Sequence, residues 1–455
     1  MIMKIIAIIT CKLIRLGLRL LGRGGTALPG KIALRLCPNL LGYLTRDVKT
    51  IVITGTNGKT TSSRIVEQAF INSGKNYFAN KSGANLITGI TAEFAAHSTI
   101  FGRPKCEYAV IECDEAASKT VLRYLKPSVI LVTNIFRDQL DRYGEVTHTL
   151  ENIRIGLENV PDAILCLNAD CSLTASLSEV LPNRCVFFGV DTPIYKSRVQ
   201  EVSDAPYCIH CKNEYTYDYI TYGHLGGYRC PHCGYHRPQP DVSVSRILRQ
   251  TADWSDIELN DHGETLSARL NLPGGFNIYN AVGAYAALSC MGFSSPEALH
   301  ALSSFECGFG RMERFDIDGA TLRMILVKNP AGCNQVLNFL TNLDGEAVFT
   351  ICLNDNYADG TDISWIWDVN FEVLLNMGHE LKRVLVSGIR ADDMALRLYY
   401  AGIPAEKITV IHDYDKLIDE MVASDKPIFI MPTYTAMLDL RARLSARYGF
   451  KNFWE

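Results

Sequence analysis

Thr50-Ile51-Val52-Ile53-Thr54 is a short β-branched run that passes directly into Gly55-Thr56-Asn57-Gly58-Lys59-Thr60-Thr61, and a helical pattern follows. Few local sequences constrain a fold so tightly. A glycine-rich turn between a buried strand and a helix lets backbone N–H groups converge on phosphate oxygens at the helix N-terminus. Gly55, Thr56, Asn57, Gly58 and Thr61 build the predicted cradle. Lys59 is placed to reach β/γ-phosphates, and the Thr60 hydroxyl to bind Mg²⁺. Only two residues separate Gly55 from Gly58, so the loop is a shortened variant of the usual phosphate-binding spacing.

Further apolar runs alternate with helical patterns. Tyr108-Ala109-Val110-Ile111, Val129-Ile130-Leu131-Val132-Thr133 and Ala163-Ile164-Leu165-Cys166-Leu167 read as buried parallel strands. A second series follows at residues 347–351, 383–386 and 428–430. The expected fold class is α/β, with two α/β units in the 455 residues. The boundaries expected are an amphipathic segment at 1–45, a nucleotide-binding domain at 46–304, a hinge around 305–320 and a Rossmann-like α/β domain at 311–455. After the second strand come Glu112, Asp114 and Glu115, at the sheet edge where nucleotides bind. Glu112 is a candidate Mg²⁺ ligand; a solvated acidic loop would read the same way.

Residues 203–238 differ in character, being rich in Tyr, Cys, His and Gly. Cys208-x2-Cys211 and, eighteen residues on, Cys230-x2-Cys233 have the spacing of a Cys₄ zinc ribbon inserted in the first domain. His210 and His232 lie inside the knuckles as alternative ligands. A closed Cys₄ site has no open position and is expected to be structural. The insertion carries only three cations, Lys212, Arg229 and Arg237, and the whole chain has 45 cations against 49 acids. That balance gives no field for gripping nucleic acid. The odd total of 15 cysteines argues against a secreted disulfide framework and for a cytoplasmic setting.

Near the start, the uncharged run Ile5–Cys11 is far shorter than the roughly 18 residues that span a bilayer. Lys12, Arg15 and Arg19 recur at helical spacing. They fit a helix docked on its own protein with its cations in water, or one lying on an anionic membrane surface.

Taken in order, the motifs resemble the Mur ligases, a family that includes the folylpolyglutamate synthases. The resemblance rests on the GTNGKTT loop, the Glu-ended second strand and Asn134-Ile135 followed by Asp138-Gln139-Leu140-Asp141-Arg142-Tyr143-Gly144. It extends to Leu167-Asn168-Ala169-Asp170, to Pro273-Gly274-Gly275-Phe276-Asn277-Ile278-Tyr279-Asn280-Ala281 and to Gly310-Arg311-Met312-Glu313. It covers about residues 40–455. It implies ATP and Mg²⁺ as cofactors, a carboxylate activated as an acyl phosphate and then attacked by an amine, Asn277 holding the adenine, and Arg311 facing the nucleotide. Three positions depart from the family pattern. Gln139 replaces a metal-binding His, Ile153 falls where a carbamylated lysine is expected, and Phe276 replaces another His, which puts a second metal site in doubt.

A last acidic stretch follows the strand near 347: Asp355, Asp359 and Asp362, then Trp365 and Trp367. By residue type alone it could hold a metal, an amine or a partner's cation, or be structural. This stretch, the zinc insertion and Val327-Lys328-Asn329-Pro330-Ala331-Gly332 resemble one branch of the family, the synthetase subunits of lipid II isoglutaminyl synthases. That resemblance implies a GatD-like class I glutaminase partner, lipid II or a related precursor as substrate, and a site at the inner face of the membrane. Asp355 is then the candidate to complete the partner's Cys-His pair, with Asp359 and Asp362 as competitors. The chain has no GxCxG-type nucleophile segment of its own, so ammonia would come from elsewhere. Two alternatives are a stand-alone ligase joining an amino acid to a carboxylate, and a non-catalytic nucleotide-binding module.

Overall fold

A computed structural model describes residues 2–20, 27–80, 83–137, 146–195, 203–305, 311–343, 345–377 and 380–450. Two sheets organise the chain. The larger runs, edge to edge, through Glu264–Leu270, Ser255–Asp261, Val242–Gln250, Cys185–Val190, Ile164–Asn168, Val129–Val132, Lys49–Thr54, Tyr108–Glu112 and Tyr77–Ala79. From Tyr77–Ala79 to Val242–Gln250 every pairing is parallel, and the last two strands add antiparallel. The central strands are buried along almost their whole length, as helices on both faces require. In the antiparallel extension Ser255–Asp261 alternates buried and part-exposed positions instead, and the extension was not anticipated.

The second sheet runs Arg311–Ile317, Ala320–Ile325, Ile428–Pro432, Ala347–Cys352, Leu381–Ser387 and Ile408–Val410. Only its first pair is antiparallel. Residues 311–317, expected within the hinge, are therefore a strand; residues 306–310 lie outside the described set. Separate apolar layers cover the two faces. Val336, Leu337, Met394 and Leu398 lie on one, and Leu417, Ile418, Met437 and Leu440 on the other.

The helix Ile2–Leu20 packs through Ala7, Ile8 and Cys11. Its cations do not all stand in water. Lys12 Nζ donates to the carbonyls of Ala96 (3.3 Å) and Ser98 (2.5 Å), at the C-terminal end of the helix Ile87–Ala96. Arg15 Nη1 lies 3.0 Å from the buried Glu93 carboxylate. A cation at a helix C-terminus satisfies carbonyls that the helix leaves open. Among the described residues no helix is long and apolar enough to cross a membrane.

Candidate active site

The parallel register sets Glu112 opposite Ile53, so the phosphate loop and the acidic run leave neighbouring strands at one sheet edge. The loop is built as a cradle. Gly55 has φ 118° and Gly58 φ 87°, both in the region that favours glycine. A Cβ on Gly58 would stand 1.9 Å from Asn280 Oδ1, and one on Gly55 2.3 Å from Thr133 Oγ1. Either substitution fails on space as well as conformation.

The remaining loop residues are held from the next strand. Thr56 Oγ1 donates to the Phe136 carbonyl at 3.1 Å, and the Asn57 N–H donates to Asn134 Oδ1 at 2.9 Å. The helix Lys59–Asn72 then begins with Lys59 and Thr60 part-exposed in its first turn and Thr61 buried. Its open N–H groups suit an anion.

Lys59 Nζ donates to the Gly55 carbonyl at 2.5 Å and to Glu115 Oε1 at 2.8 Å. Burial is the chief influence on the Glu115 carboxyl and raises its pKa; the Lys59 ammonium pulls the other way. The three acids of this run thus take separate posts. Asp114 caps the helix Glu115–Val121 by accepting from the N–H groups of Ala116 and Ala117. Glu115 holds the lysine. Glu112, buried to 8% exposure, is anchored by its backbone to the Asn80 amide. Its carboxylate and the Thr60 hydroxyl give the hard oxygen donors that Mg²⁺ takes. The sequence pointed to Glu112 but not to Glu115, because which acid meets Lys59 depends on where the helix starts.

The second sheet closes on this loop. Asn329 caps the helix Pro330–Thr341, accepting from the Gly332 N–H, and its amide donates to Asn57 Oδ1 at 3.3 Å. The Lys328 charge joins Lys59 in opposing the rise that burial imposes on the Glu115 carboxyl. Phe276, the departure from a family His, packs against the core of the second sheet. Ile153 is fully buried in the helix Val146–Leu157. Asn277 is buried, its amide donates to the Pro273 carbonyl at 2.7 Å, and its Oδ1 accepts from Asn280. Its hydrogen bonds point inward, toward the residue that touches Gly58. Arg311 opens the strand Arg311–Ile317, and its side chain lies outside what is described, as do Asp138–Gly144, Gln139 included, and Gly310.

The four cysteines converge as the spacing predicts. Their sulfurs all lie within 4.8 Å of one another, with Cys208–Cys233 at 3.5 Å and Cys211–Cys230 at 3.4 Å. Tetrahedral Zn–S bonds of about 2.3 Å need S···S edges of roughly 3.8 Å, so the donor set fits the metal. The knuckles match each other. Lys212 and Gly234 both take positive φ, and their N–H groups donate to the carbonyls of Cys208 and Cys230. His210 pairs with Glu179 and His232 is exposed, so neither joins the quartet. Arg237, just past the knuckles, reaches the fully buried Asp170 at 2.5 Å and ties the insertion to the large sheet.

Beyond the strand Ala347–Cys352 the three candidate acids also separate. Asp359 is buried and accepts from the Thr435 N–H (2.6 Å) and hydroxyl (2.5 Å), at the first turn of the helix Tyr434–Tyr448. Asp362 accepts from the Ser364 N–H, and that bonding lowers its pKa. Asp355 is part-exposed and 3.4 Å from Arg390 Nη1.

Two family matches cover much of the chain: the Mur ligase middle domain at residues 53–229 and the MurT ligase C-terminal domain at 326–437. A Streptococcus pneumoniae protein named lipid II isoglutaminyl synthase (glutamine-hydrolyzing) subunit MurT is 34% identical over 94% of both chains. The chain belongs to the MurT family. A Staphylococcus aureus MurT is 33% identical over 97% of this chain and 98% of its own. Among solved structures, MurF from Acinetobacter baumannii superposes with a TM-score of 0.68 at 16% identity, covering 92% of this chain and 81% of that one. The Mur ligase fold expected from the ordered motifs is thus the fold observed. In this MurT chain the phosphate loop and the Lys328–Asn329 turn face each other across the cleft between the sheets.

Proposed function

We propose that this chain is the synthetase subunit of a lipid II isoglutaminyl synthase. It uses ATP to convert the α-carboxylate of D-glutamate in the lipid II stem peptide to an amide, with ammonia supplied by a class I glutaminase of the GatD type. The observation that carries the reading is the end-to-end likeness to proteins of that name. The site has the groups the chemistry needs. A carboxylate oxygen attacks the γ-phosphorus and the bond to ADP breaks, giving an acyl phosphate. Ammonia then attacks the acyl carbon, a proton is lost, and phosphate leaves with the C–O electron pair.

Lys59 would leave Glu115 for the phosphates, and Glu115 and Lys328 would stay as the flanking charges. Thr60 and Glu112 would hold Mg²⁺, which neutralises charge on the β- and γ-oxygens. Asn277 would reach adenine only by giving up its bond to Pro273, and Arg311 would approach the nucleotide from the second domain. Asp355 is the acid proposed to orient the partner's His, because Asp359 and Asp362 already serve the local backbone.

In the same reading Cys208, Cys211, Cys230 and Cys233 hold a structural zinc. Cys230→Ser should lower bound zinc, measured by atomic emission, and the unfolding midpoint with it; unchanged zinc content would refute the site. The functional test mixes the chain with its glutaminase, ATP, Mg²⁺ and lipid II, using glutamine or ammonia as donor, and reads carboxylate-to-amide conversion by mass spectrometry. No amide with either donor would overturn the proposal. Turnover with a free amino acid instead would mark a stand-alone ligase.

A further inference from the structure

The helix Ile2–Leu20 turns its charge inward and its grease outward. Lys12 and Arg15 are bound to the helix beneath. Outside stand Ile2, Ile6, Ile9, Leu13, Leu16 and Leu20, spaced alternately by four and three residues and each 38–80% exposed. That progression is a single stripe along a helix of 19 residues, about 28 Å long. A water-facing helix normally shows polar residues there, and a continuous apolar face of this length marks a contact surface.

Two neighbours pack against the same helix and bring further exposed apolar and cationic side chains. The Thr99–Arg103 turn lays the Gly102 backbone against Lys4 and Ile8, and its tip carries the exposed Ile100 and Phe101. The helix Ala27–Leu36, packed on the first, adds exposed Leu28, Lys31 and Arg35. Charge is segregated as well. Eight of the 45 cations fall within residues 1–46, and all 49 acids lie beyond.

We propose that this face docks on an anionic lipid bilayer, with the helix in the plane of the interface. The six aliphatic side chains enter the acyl boundary, and Arg19, Lys31 and Arg35 meet the headgroups. An aliphatic stripe with a cationic rim and no acid is the composition that binds such a surface. A second copy of the chain would set like charges against like, which disfavours self-association. The inference rests on the proposed function only for the reason a bilayer is at hand, a lipid-linked substrate; vesicle binding needs no turnover.

The test is flotation of the full chain, alone and with its glutaminase, on phosphatidylcholine vesicles with and without phosphatidylglycerol. The wild type should float with the anionic vesicles and less so at high salt. Leu13→Glu with Leu16→Glu, at exposed positions, should lower partitioning on the order of tenfold or more, with the unfolding midpoint and ATP-dependent amidation in detergent unchanged. Arg19→Glu with Lys31→Glu should remove the phosphatidylglycerol dependence even if the first variant folds poorly. Failure of the wild type to float, or equal flotation of all three proteins, would overturn the proposal. So would a wild-type dimer that the double Glu variant converts to monomer, which assigns the face to a second copy. Loss of amidation with flotation intact would count against the catalytic reading alone.

Discussion

Each sheet ends a central strand in three acids, and the two trios are put to different use. Glu112, Asp114 and Glu115 follow Tyr108–Glu112; Asp355, Asp359 and Asp362 follow Ala347–Cys352. In both, one acid stands at a helix N-terminus: Asp114 caps Glu115–Val121, and Asp359 bonds the first turn of Tyr434–Tyr448. In both, another faces a cation, Glu115 with Lys59 and Asp355 with Arg390. The difference is burial. All three acids of the first trio are under 9% exposed, and Asn329, from the second sheet's side, bonds Asn57 of the phosphate loop beside them. In the second trio only Asp359 is buried, and Asp355 is part-exposed beside Arg390. The same arrangement at two strand ends thus gives three buried acids in one sheet and, in the other, a part-exposed carboxylate that we propose meets a partner.

Lys59→Ala attacks the first trio's site and should have the largest effect. Loss of the lysine proposed to face the transferring phosphoryl should lower amide formation by on the order of 10³-fold or more, with glutamine and with ammonia alike. Assembly with the glutaminase, followed by size-exclusion chromatography, should be unchanged. Activity that survives with ammonia would place the phosphoryl chemistry elsewhere.

Asp355→Asn attacks the second trio's site. If it orients the partner's His, glutamine-dependent synthesis should fall by about 10²- to 10⁴-fold, as when a triad acid is neutralised. Ammonia-dependent synthesis should persist. An equal fall with both donors would move Asp355 into the synthetase chemistry and erase the contrast between the trios.

Part of this contrast was legible before any coordinates. The phosphate loop and the cysteine knuckles are local geometries, set by glycine and cysteine at fixed spacing, so Gly55–Thr61 and Cys208–Cys233 could be read directly. So could the central strands, which are continuously apolar. The antiparallel strands Ser255–Asp261 and Glu264–Leu270 were harder, because both carry polar and charged residues on the face turned to solvent and bury only a few positions each. The division of labour among the acids was harder still. Glu115 meets Lys59 only because Asp114 starts a helix there, and Asp359 reaches Thr435 across 76 residues of sequence. The inward bonding of Asn277 likewise depends on Asn280 and Pro273 being packed around it.

Asp359→Ala should separate structure from chemistry within the second trio. It leaves the Thr435 N–H and hydroxyl without their acceptor in a buried setting, at a cost of about 1–3 kcal/mol in chemical denaturation. Catalysis per folded molecule should hold for both nitrogen donors. A selective loss of glutamine use would make Asp359, not Asp355, the orienting acid.

The smallest effect belongs to Asp362. Its carboxylate accepts from the Ser364 N–H at 2.8 Å, and its pKa is depressed chiefly by hydrogen bonding to Ser364. A carboxyl whose folded pKa is depressed adds stability that is present above its unfolded value and fades as pH falls through the folded one. The contribution should therefore be complete at neutral pH, begin to fade below about pH 4 and vanish only below the depressed folded value. Because the group is exposed, water screens most of it, and Asp362→Ala should cost only about 0.5 kcal/mol at pH 7. The urea midpoints of variant and wild type should converge as the pH is lowered. A gap that stays open in acid would mean that Asp362 acts through packing of the Ile363–Trp365 turn. The second trio would then hold two structural acids, Asp359 and Asp362, beside the part-exposed Asp355.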